Sequence, residues 1–430
     1  MRRLISRFTG RFSAGLRGVA AITLGTAFGQ LILVAVAPIL SRLYTPEHFG
    51  ILSLLMAVAA ILGPTATLKL EAALLLPKDE DTARRLLRLA LFSSTAVAVA
   101  SGVTVWLLPA IGFLTELKEV EAAPLWVSGM VLASSTFSVL SQAALRDRQY
   151  KTVANRSITQ AIGMAFGQVG LGLIHPSSAS LMGGYLFGRS VGYVPLIRAS
   201  RSLFKRPLGG GYRRTLRHYW RFPLVFTPSG LLNSLGSQLP ILLIALWFAA
   251  EGAGQLGMAQ RLVFVPMTLI GASLAQVFGA EISRRLRDGA GGMSQLYLRI
   301  SSRVGMLAAA LALAIFLLAP SLLPFILGPT WEGSGLLAQA MALSVGLGLV
   351  VSPLSRVYMT FQRSFASITV DISRIALLVS AAVVSRLLDA DIVTTAWLLY
   401  GGQAVNYIVT WAWGYRIVQV AEREAQRGSA

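Results

Sequence analysis

The sequence predicts an all-α, polytopic membrane protein whose twelve transmembrane helices form two pseudo-symmetric six-helix bundles. Three observations predict this fold class. Hydrophobic residues make up 55% of the 430-residue chain and charged residues only 13%, which is typical of proteins with many membrane spans. Apolar runs long enough to cross a bilayer recur along the whole chain. Basic residues gather in every second connection between these runs.

Each apolar run is about twenty residues or longer, which as a helix crosses ~30 Å of hydrocarbon. The predicted spans are 19–43, 49–76, 86–112, 123–145, 155–174, 178–199, 222–248, 255–281, 303–327, 335–360, 366–387 and 392–416.

The basic residues determine the predicted orientation. Of the 38 Lys and Arg residues, 31 lie in the two tails and the even-numbered connections, three lie on the opposite side and four lie within spans. Because basic connections stay on the cytoplasmic side, both termini are predicted to be cytoplasmic. The net charge of +20 is therefore explained by topology, and no nucleic-acid partner is predicted. A chain without cysteine has neither disulfides nor thiolate metal sites.

The same pattern divides the chain into five predicted segments. They are a basic cytoplasmic N-terminal arm (1–18), an N-terminal six-helix bundle (19–200), a cytoplasmic linker (201–221), a C-terminal six-helix bundle (222–417) and a cytoplasmic tail (418–430). The bundles are predicted to be copies of one unit, because residues 140–158 can be laid on residues 355–373. Copies separated by six spans share one orientation, which makes a parallel repeat about an axis along the membrane normal.

Glycines recur every four residues in spans 1, 5 and 6. Such small faces predict close packing of these helices and carry no function by themselves.

Polar residues also recur at corresponding positions of the two halves. Thr26 and Gln30 lie in span 1, and Asn233 and Gln238 lie in span 7. These faces fit the walls of one central cavity, and hydrogen bonds between helices explain them equally well.

Charges within spans are costly and need a partner, a water-filled cavity or a function. Lys69 in span 2, Arg261 in span 8 and Arg42 at the outer end of span 1 are predicted to line the cavity as a ladder of positive charge. Snorkelling of Arg42 and structural pairing of the other two is the alternative. Glu71 follows Lys69 by two residues, roughly 200° around a helix, and is a candidate structural partner or ion-coupling carboxylate.

Span 11 holds a further charged pair. Asp371 and Arg374 are three residues apart, which predicts a local ion pair. Asp371 is also the second candidate for ion coupling. Arg189, at mid-depth in span 6, has no partner that the sequence identifies.

The opening hairpin closes on SRLYTPEHFG and ends on LEAALLLPKDE. Over residues 20–85, and more faintly over 140–158 and spans 7 and 8, the chain resembles bacterial polysaccharide flippases of the O-antigen branch. These belong to the multidrug/oligosaccharidyl-lipid/polysaccharide (MOP) exporter superfamily. The resemblance implies a transporter that moves an undecaprenyl-pyrophosphate-linked oligosaccharide from the inner to the outer leaflet of the bacterial inner membrane. It also implies alternating access through a cationic lumen lined by helices 1, 2, 7 and 8.

The resemblance further implies that the protein is not an enzyme and holds no cofactor, with an H+ or Na+ gradient as the candidate energy source. Its implied partners are the lipid-linked oligosaccharide and membrane lipids, with a polysaccharide polymerase and a chain-length regulator as candidate protein partners. Buried Lys and Arg side chains suit this passenger, because a pyrophosphate does not cross hydrocarbon unaided.

Two alternatives remain open at this point. The first is a small-molecule or drug exporter of the same superfamily, with Glu71 or Asp371 as the carboxylate that couples a cation. The second is a membrane-embedded polysaccharide polymerase or ligase. Outer connections of about a dozen residues or fewer, without grouped His and acidic residues, disfavour this enzyme class.

Overall fold

The computed structural model describes residues 14–111, 120–204, 210–287, 291–361 and 363–428. Regular structure in these ranges is entirely helical, in agreement with the predicted fold class. Residues 1–13 of the predicted basic arm lie outside the described ranges.

The helices of the first half are α1 (Ala14–Leu43), α2 (Pro46–Ala66), α3 (Leu70–Ala73), α4 (Glu80–Leu107), α5 (Ala123–Arg146), α6 (Tyr150–Ile174), α7 (Ser178–Val191), α8 (Tyr193–Ala199), α9 (Arg201–Phe204) and α10 (Tyr212–His218). The helices of the second half are α11 (Thr227–Arg287), α12 (Met293–Leu327), α13 (Glu332–Leu354), α14 (Arg356–Thr360), α15 (Ser364–Leu387) and α16 (Ile392–Gly428).

Within the described part of the chain, nine helices are long and apolar enough to cross a membrane. One of them, α11, contains two predicted spans. Its helical backbone is interrupted only at Phe248 and Ala249, so the connection predicted between spans 7 and 8 is a kink and not a loop. The predicted spans 6 and 12 correspond to α7 with α8 and to α16. The helix that contains span 9, α12, begins at Met293, because the basic segment before the predicted span is also helical.

The chain forms two compact units. The N unit comprises the chain up to Tyr44 and Leu55–Leu231, and the C unit comprises Thr45–Leu54 and Leu232–Ala430. The first turns of α2 therefore belong to the C unit and the rest of α2 to the N unit.

Glycines determine the closest helix contacts of the N unit. A Cβ atom at Gly25 of α1 would lie 2.5 Å from the carbonyl oxygen of Ala154 in α6. A Cβ atom at Gly167 of α6 would lie 2.9 Å from the Cα atom of Gly184 in α7. The close packing predicted for spans 1, 5 and 6 is confirmed, and it makes α6 the helix on which α1 and α7 both rest.

Close contacts also hold the C unit together. Gly50 of α2 and Gly254 of α11 leave no room for a side chain, because a Cβ atom on either would overlap backbone of the other segment.

The carboxylate of Glu422 in α16 accepts hydrogen bonds from the first backbone amides of α12, including those of Met293 at 3.0 Å and Ser294 at 3.2 Å. Burial raises the pKa of Glu422, but these hydrogen bonds outweigh burial and lower it overall.

Candidate functional site

The C-terminal part of the predicted span 2 (49–76) is broken, close to Pro64, a residue that bends or breaks helices. Helix α2 ends at Ala66, and a turn over residues 67–69 leads into the short helix α3. Leu68 has φ 50° and Lys69 has φ 56°. This left-handed backbone costs roughly 1–2 kcal/mol for each residue other than glycine. Lys69 and Glu71 do not share one continuous helix, so the 200° separation derived from helix geometry is wrong.

The broken segment brings the side chain of Lys69 against the beginning of α11. A Cβ atom at Gly230 would lie 2.8 Å from Cε and 3.4 Å from Nζ of Lys69. Among the described residues, the ammonium group has no ion-pair or hydrogen-bond partner. Two consecutive strained residues beside an unpaired cation are typical of functional sites, where neighbouring structure maintains the strain.

Glu71 lies in α3, which packs on α4 and α5 through Leu70, Ala73 and Leu74. The residue is 8% exposed, and its Oε2 atom is buried without a hydrogen-bond partner among the described residues. A buried carboxylate oxygen without a partner is costly. A proton or a small cation on this oxygen would remove that cost.

The ion pair predicted in span 11 is confirmed. Arg374 Nη2 lies 3.2 Å from Asp371 Oδ1, and the two side chains are 12% and 13% exposed. Arg374 also donates to Asn233 of α11, at 2.7 Å to the carbonyl oxygen and 2.9 Å to Oδ1. Gly236 makes room for this contact, because a Cβ atom there would lie 2.5 Å from Arg374 Nε. The contact supports the interhelical hydrogen-bonding interpretation of Asn233.

The remaining predicted site residues lie in both units. Thr26 and Arg42 are exposed on α1, and Gln30 is half-buried on the same helix. Gln238 and Arg261 are half-buried on α11. With Lys69 and Glu71, the N unit therefore carries five of the predicted residues, and the C unit carries Asn233, Gln238, Arg261 and Asp371. The lumen predicted between spans 1, 2, 7 and 8 stays a prediction.

One buried cation without a carboxylate partner among the described residues was missed from the sequence. Arg156, two residues into predicted span 5, was counted with the basic connection before it, yet it is 4% exposed. Its guanidinium lies over the ring of Phe137 in α5. Arg189 also has its contacts resolved, since its guanidinium donates to the hydroxyl of Tyr185 at 2.9 and 3.2 Å. The signal for Arg156 is its position just inside an apolar run.

A cavity of about 630 Å³ lies in the C unit between α12, α13 and α16. Its lining is largely apolar, with Arg299, Tyr407 and Trp411 among the lining residues. The predicted site residues do not line it.

Long apolar helices, with charged side chains placed inside them, define a polytopic membrane protein over the described part of the chain. Solved structures with a similar fold agree. A lipid II flippase, MurJ, in an inward closed conformation matches with a TM-score of 0.68 and 13% identity, covering 94% of this chain and 90% of that one. An inward-facing multidrug resistance MATE family transporter of the MOP superfamily matches with a TM-score of 0.64 and 16% identity, covering 94% and 98%.

A MOP superfamily transporter from Pyrococcus furiosus, described as having a binding pocket of reverse polarity, matches with a TM-score of 0.57 and 15% identity, covering 94% and 96%. The model of the polysaccharide biosynthesis protein family matches residues 39–335. The chain belongs to this polysaccharide biosynthesis family, and it shares its fold with these solved structures of the MOP superfamily and with MurJ. No curated protein sequence matches the chain.

Proposed function

We propose that the protein flips an undecaprenyl-pyrophosphate-linked oligosaccharide, an O-antigen or exopolysaccharide repeat unit, from the inner to the outer leaflet of the bacterial inner membrane. The observation that carries this proposal is the family match over residues 39–335, on a chain whose fold is shared with a lipid II flippase. Polysaccharide biosynthesis needs a membrane step for its lipid-linked intermediates, and a transporter fold suits that step.

Lys69 is the residue to which we assign the pyrophosphate. Its ammonium has no ion-pair partner among the described residues and lies on a strained break between α2 and α3. A lysine binds phosphate oxygens as a compact point charge. The break gives the end of α2 a hinge, which alternating access requires. Arg42, Arg261, Thr26, Gln30, Asn233 and Gln238 are the further substrate-binding residues of this proposal.

Glu71 is the first candidate for ion coupling in this proposal. Its buried Oε2 atom, which lacks a hydrogen-bond partner, supports the binding of a proton or a sodium ion. Asp371 is the weaker candidate, because Arg374 at 3.2 Å already compensates its charge. A polysaccharide polymerase and a chain-length regulator are proposed as partners that act on the flipped product.

Replacing Lys69 with alanine tests the substrate assignment. The variant is expressed in a strain that lacks the native gene, and surface polysaccharide is measured beside accumulated lipid-linked intermediate. We expect at least a tenfold loss of surface polysaccharide, because a hydrogen bond to a charged group contributes about 1.5–3 kcal/mol. Lys69→Arg retains the charge and should preserve part of the activity.

Lys78→Ala is the matched control, because it removes a lysine from the exposed connection just beyond the break. It should leave surface polysaccharide unchanged at an equal protein level. Normal polysaccharide in the Lys69→Ala strain would remove Lys69 from the site. Normal polysaccharide after deletion of the gene itself would remove the flippase proposal.

The second candidate is a cation-coupled exporter of small molecules. The observation that favours it is the similarity in fold to a multidrug resistance MATE family transporter. Dye efflux from inverted vesicles distinguishes the two functions. Efflux that requires Glu71, in cells with normal surface polysaccharide, would support the exporter.

A further inference from the structure

Two arginines inside the N unit are brought together by glycine packing. A Cβ atom at Gly163 of α6 would lie 3.0 Å from the Cα atom of Gly188 in α7, so the two helices nearly touch there. Gly192, at the end of α7, lies beside Arg156, because a Cβ atom there would be 3.3 Å from Arg156 Nε. Close packing of small residues thus makes room for a guanidinium group inside the bundle.

Arg156 and Arg189 share the same aromatic environment. The guanidinium of Arg156 lies over the ring of Phe137, and that of Arg189 lies 5.9 Å from the centroid of the same ring. Arg189 also lies 5.2 Å from the ring centroid of Tyr185. Cation–π contacts stabilise each guanidinium, but they do not neutralise its charge.

The arginine pair has no carboxylate partner among the described residues. Nε and Nη2 of Arg156 are buried without hydrogen-bond partners, and the polar partner of Arg189 is the neutral hydroxyl of Tyr185. The nearby hydroxyl of Tyr193 is itself used as a donor to the carbonyl oxygen of Ala133. Two neighbouring cations within the spans of a membrane protein carry a large desolvation cost unless an anion compensates them.

The depth of the pair indicates which anion is available. Arg156 lies six residues from the start of α6, or about 9 Å at 1.5 Å per residue. Arg189 lies ten residues from the end of α8, or about 15 Å by the same rise. Both helix ends face the side that the basic connections assign to the cytoplasm. Arg156 therefore lies near the headgroup region of the inner leaflet, and Arg189 lies deeper, at mid-depth in its span.

The surroundings suit a lipid better than a free ion. Arg189 is partly exposed, so the pair is accessible from the surface of the N unit, whereas Arg156 forms its buried end. Large apolar side chains on α6, α7 and α8 are exposed, with Ile162 at 48%, Phe187 at 54% and Val194 at 49%. Such side chains offer acyl or isoprenoid chains a surface on the same helices that hold the two cations.

We propose that Arg156 and Arg189 form a binding site for the phosphate group of an anionic membrane lipid, between α5, α6 and α7. Two guanidiniums present planar forks of N–H donors, and phosphate oxygens accept from such forks in pairs. The site belongs to the N unit and does not depend on the proposed flipping activity. The phosphate belongs either to a phospholipid or to an isoprenoid carrier.

Lipid binding to the purified full-length protein tests the proposal. Native mass spectrometry measures retention of phosphatidylglycerol, a polyprenyl pyrophosphate and diacylglycerol, which has no phosphate, by wild type, Arg156→Gln and Arg189→Gln. We expect both variants to bind one of the two phosphate lipids at least tenfold more weakly than wild type. The preferred lipid identifies the source of the phosphate. Diacylglycerol should bind equally weakly to all three proteins.

Arg198→Gln is the matched control, because Arg198 is an exposed arginine at the end of α8 and outside the cluster. It should retain wild-type binding. Because Arg156 is buried, the Arg156→Gln protein is first checked for folding by gel filtration. If it misfolds, the comparison of lipid binding by Arg189→Gln and wild type decides the test. Equal retention of the phosphate lipids by wild type and Arg189→Gln would overturn the site. If inorganic phosphate displaces neither lipid, the assignment to a lipid is supported. If inorganic phosphate stabilises the protein and neither lipid does, the assignment to a lipid is overturned.

Discussion

The alignment of residues 140–158 with residues 355–373 places Arg156 of the N unit opposite Asp371 of the C unit. The two residues occupy nearly the same position in their helices, the seventh residue of α6 and the eighth of α15. Their charges are opposite and their surroundings differ. Asp371 has Arg374 at 3.2 Å, whereas Arg156 has no ion-pair partner among the described residues.

The difference shows two ways of placing a charge inside a membrane bundle. In the C unit, the carboxylate and the guanidinium are one helical turn apart, so folding of α15 alone brings them together. Asn233 then satisfies further donor capacity of Arg374. In the N unit, two cations share one aromatic ring without a carboxylate partner among the described residues, and the proposed lipid phosphate would compensate them. We therefore expect the charge of Asp371 to be compensated within the C unit, and the charges of Arg156 and Arg189 to be compensated by a ligand.

One helix contact in each unit also differs in how closely the two helices approach. In the N unit, a Cβ atom at Gly188 of α7 would overlap backbone and side-chain atoms of Met164 in α6. In the C unit, a Cβ atom at Gly402 of α16 would lie 3.3 Å from the carbonyl oxygen of Leu377 in α15. At these two contacts, α6 and α7 are packed as closely as backbone permits, whereas α15 and α16 retain a small gap.

The largest expected effect is that of breaking the C-unit ion pair. Asp371→Ala should lower the free energy of unfolding by about 3 kcal/mol, at the lower end of values for broken buried pairs, because Asn233 still accepts from Arg374. Chemical unfolding followed by tryptophan fluorescence measures the loss. The double replacement Asp371→Leu with Arg374→Leu should recover most of it, since it leaves no uncompensated charge.

Arg156→Leu is the matched experiment in the N unit. Without anionic lipid, its effect on the free energy of unfolding should stay below about 1 kcal/mol, because relief of an uncompensated buried charge offsets the lost cation–π contact. A loss as large as that of Asp371→Ala would show that Arg156 is compensated within the protein. The comparison between the two units would then be wrong.

A smaller effect is expected from filling the helix contacts. Gly188→Ala should destabilise the protein by about 1–3 kcal/mol, as overpacking of a close contact does. Gly402→Ala should be neutral or stabilising, because alanine favours a helix by roughly 0.8–1.0 kcal/mol over glycine and fits there with a slight shift. Thermal unfolding in detergent compares the two variants. Equal destabilisation by both would contradict the difference in packing.

The smallest effect concerns a feature that the two units share. Asp79 accepts from the backbone amide of Thr82 at 2.8 Å before α4, and Asp391 accepts from that of Thr394 at 3.1 Å before α16. Hydrogen bonds from Thr82 and Thr394 lower the pKa of these carboxyl groups. A lowered pKa adds stability above the unfolded-state pKa of about 3.9 and loses it as the pH falls through the folded-state value.

Asp391→Ala should therefore cost about 1 kcal/mol at pH 7, as the loss of a helix cap does. Its difference from wild type should shrink as the pH falls below about 4, where the unfolded-state carboxyl group is protonated. Asp79→Ala should behave alike. Unfolding curves at pH 7 and pH 3 check both variants. A difference for Asp391→Ala that is independent of pH would show that its carboxylate is not the cap.

Much of this protein is determined locally, and the sequence alone predicted those parts. Apolar runs and the distribution of Lys and Arg predicted the spans, because burial of backbone polar groups in a bilayer requires long helices. The spacing of Asp371 and Arg374 predicted their ion pair, and the spacing of glycines in spans 5 and 6 predicted that α6 and α7 pack closely. SRLYTPEHFG and LEAALLLPKDE predicted the kinship with the polysaccharide biosynthesis family. Each of these features is encoded by residues that are close together in the sequence.

Tertiary structure alone decided the rest. Pro64 predicts a bend near the end of α2, but Leu68 and Lys69 are neither glycine nor proline, so no local signal marks their left-handed turn. Asn233 meets Arg374 across 141 positions of the chain. The sequence pattern groups Arg156 with a basic connection, and its burial follows only from the packing of α5, α6 and α7 around it. Spacing along a helix decides which charges are neighbours, whereas the folded bundle decides whether a charge is compensated, because the counter-charge comes from a distant helix or from a ligand.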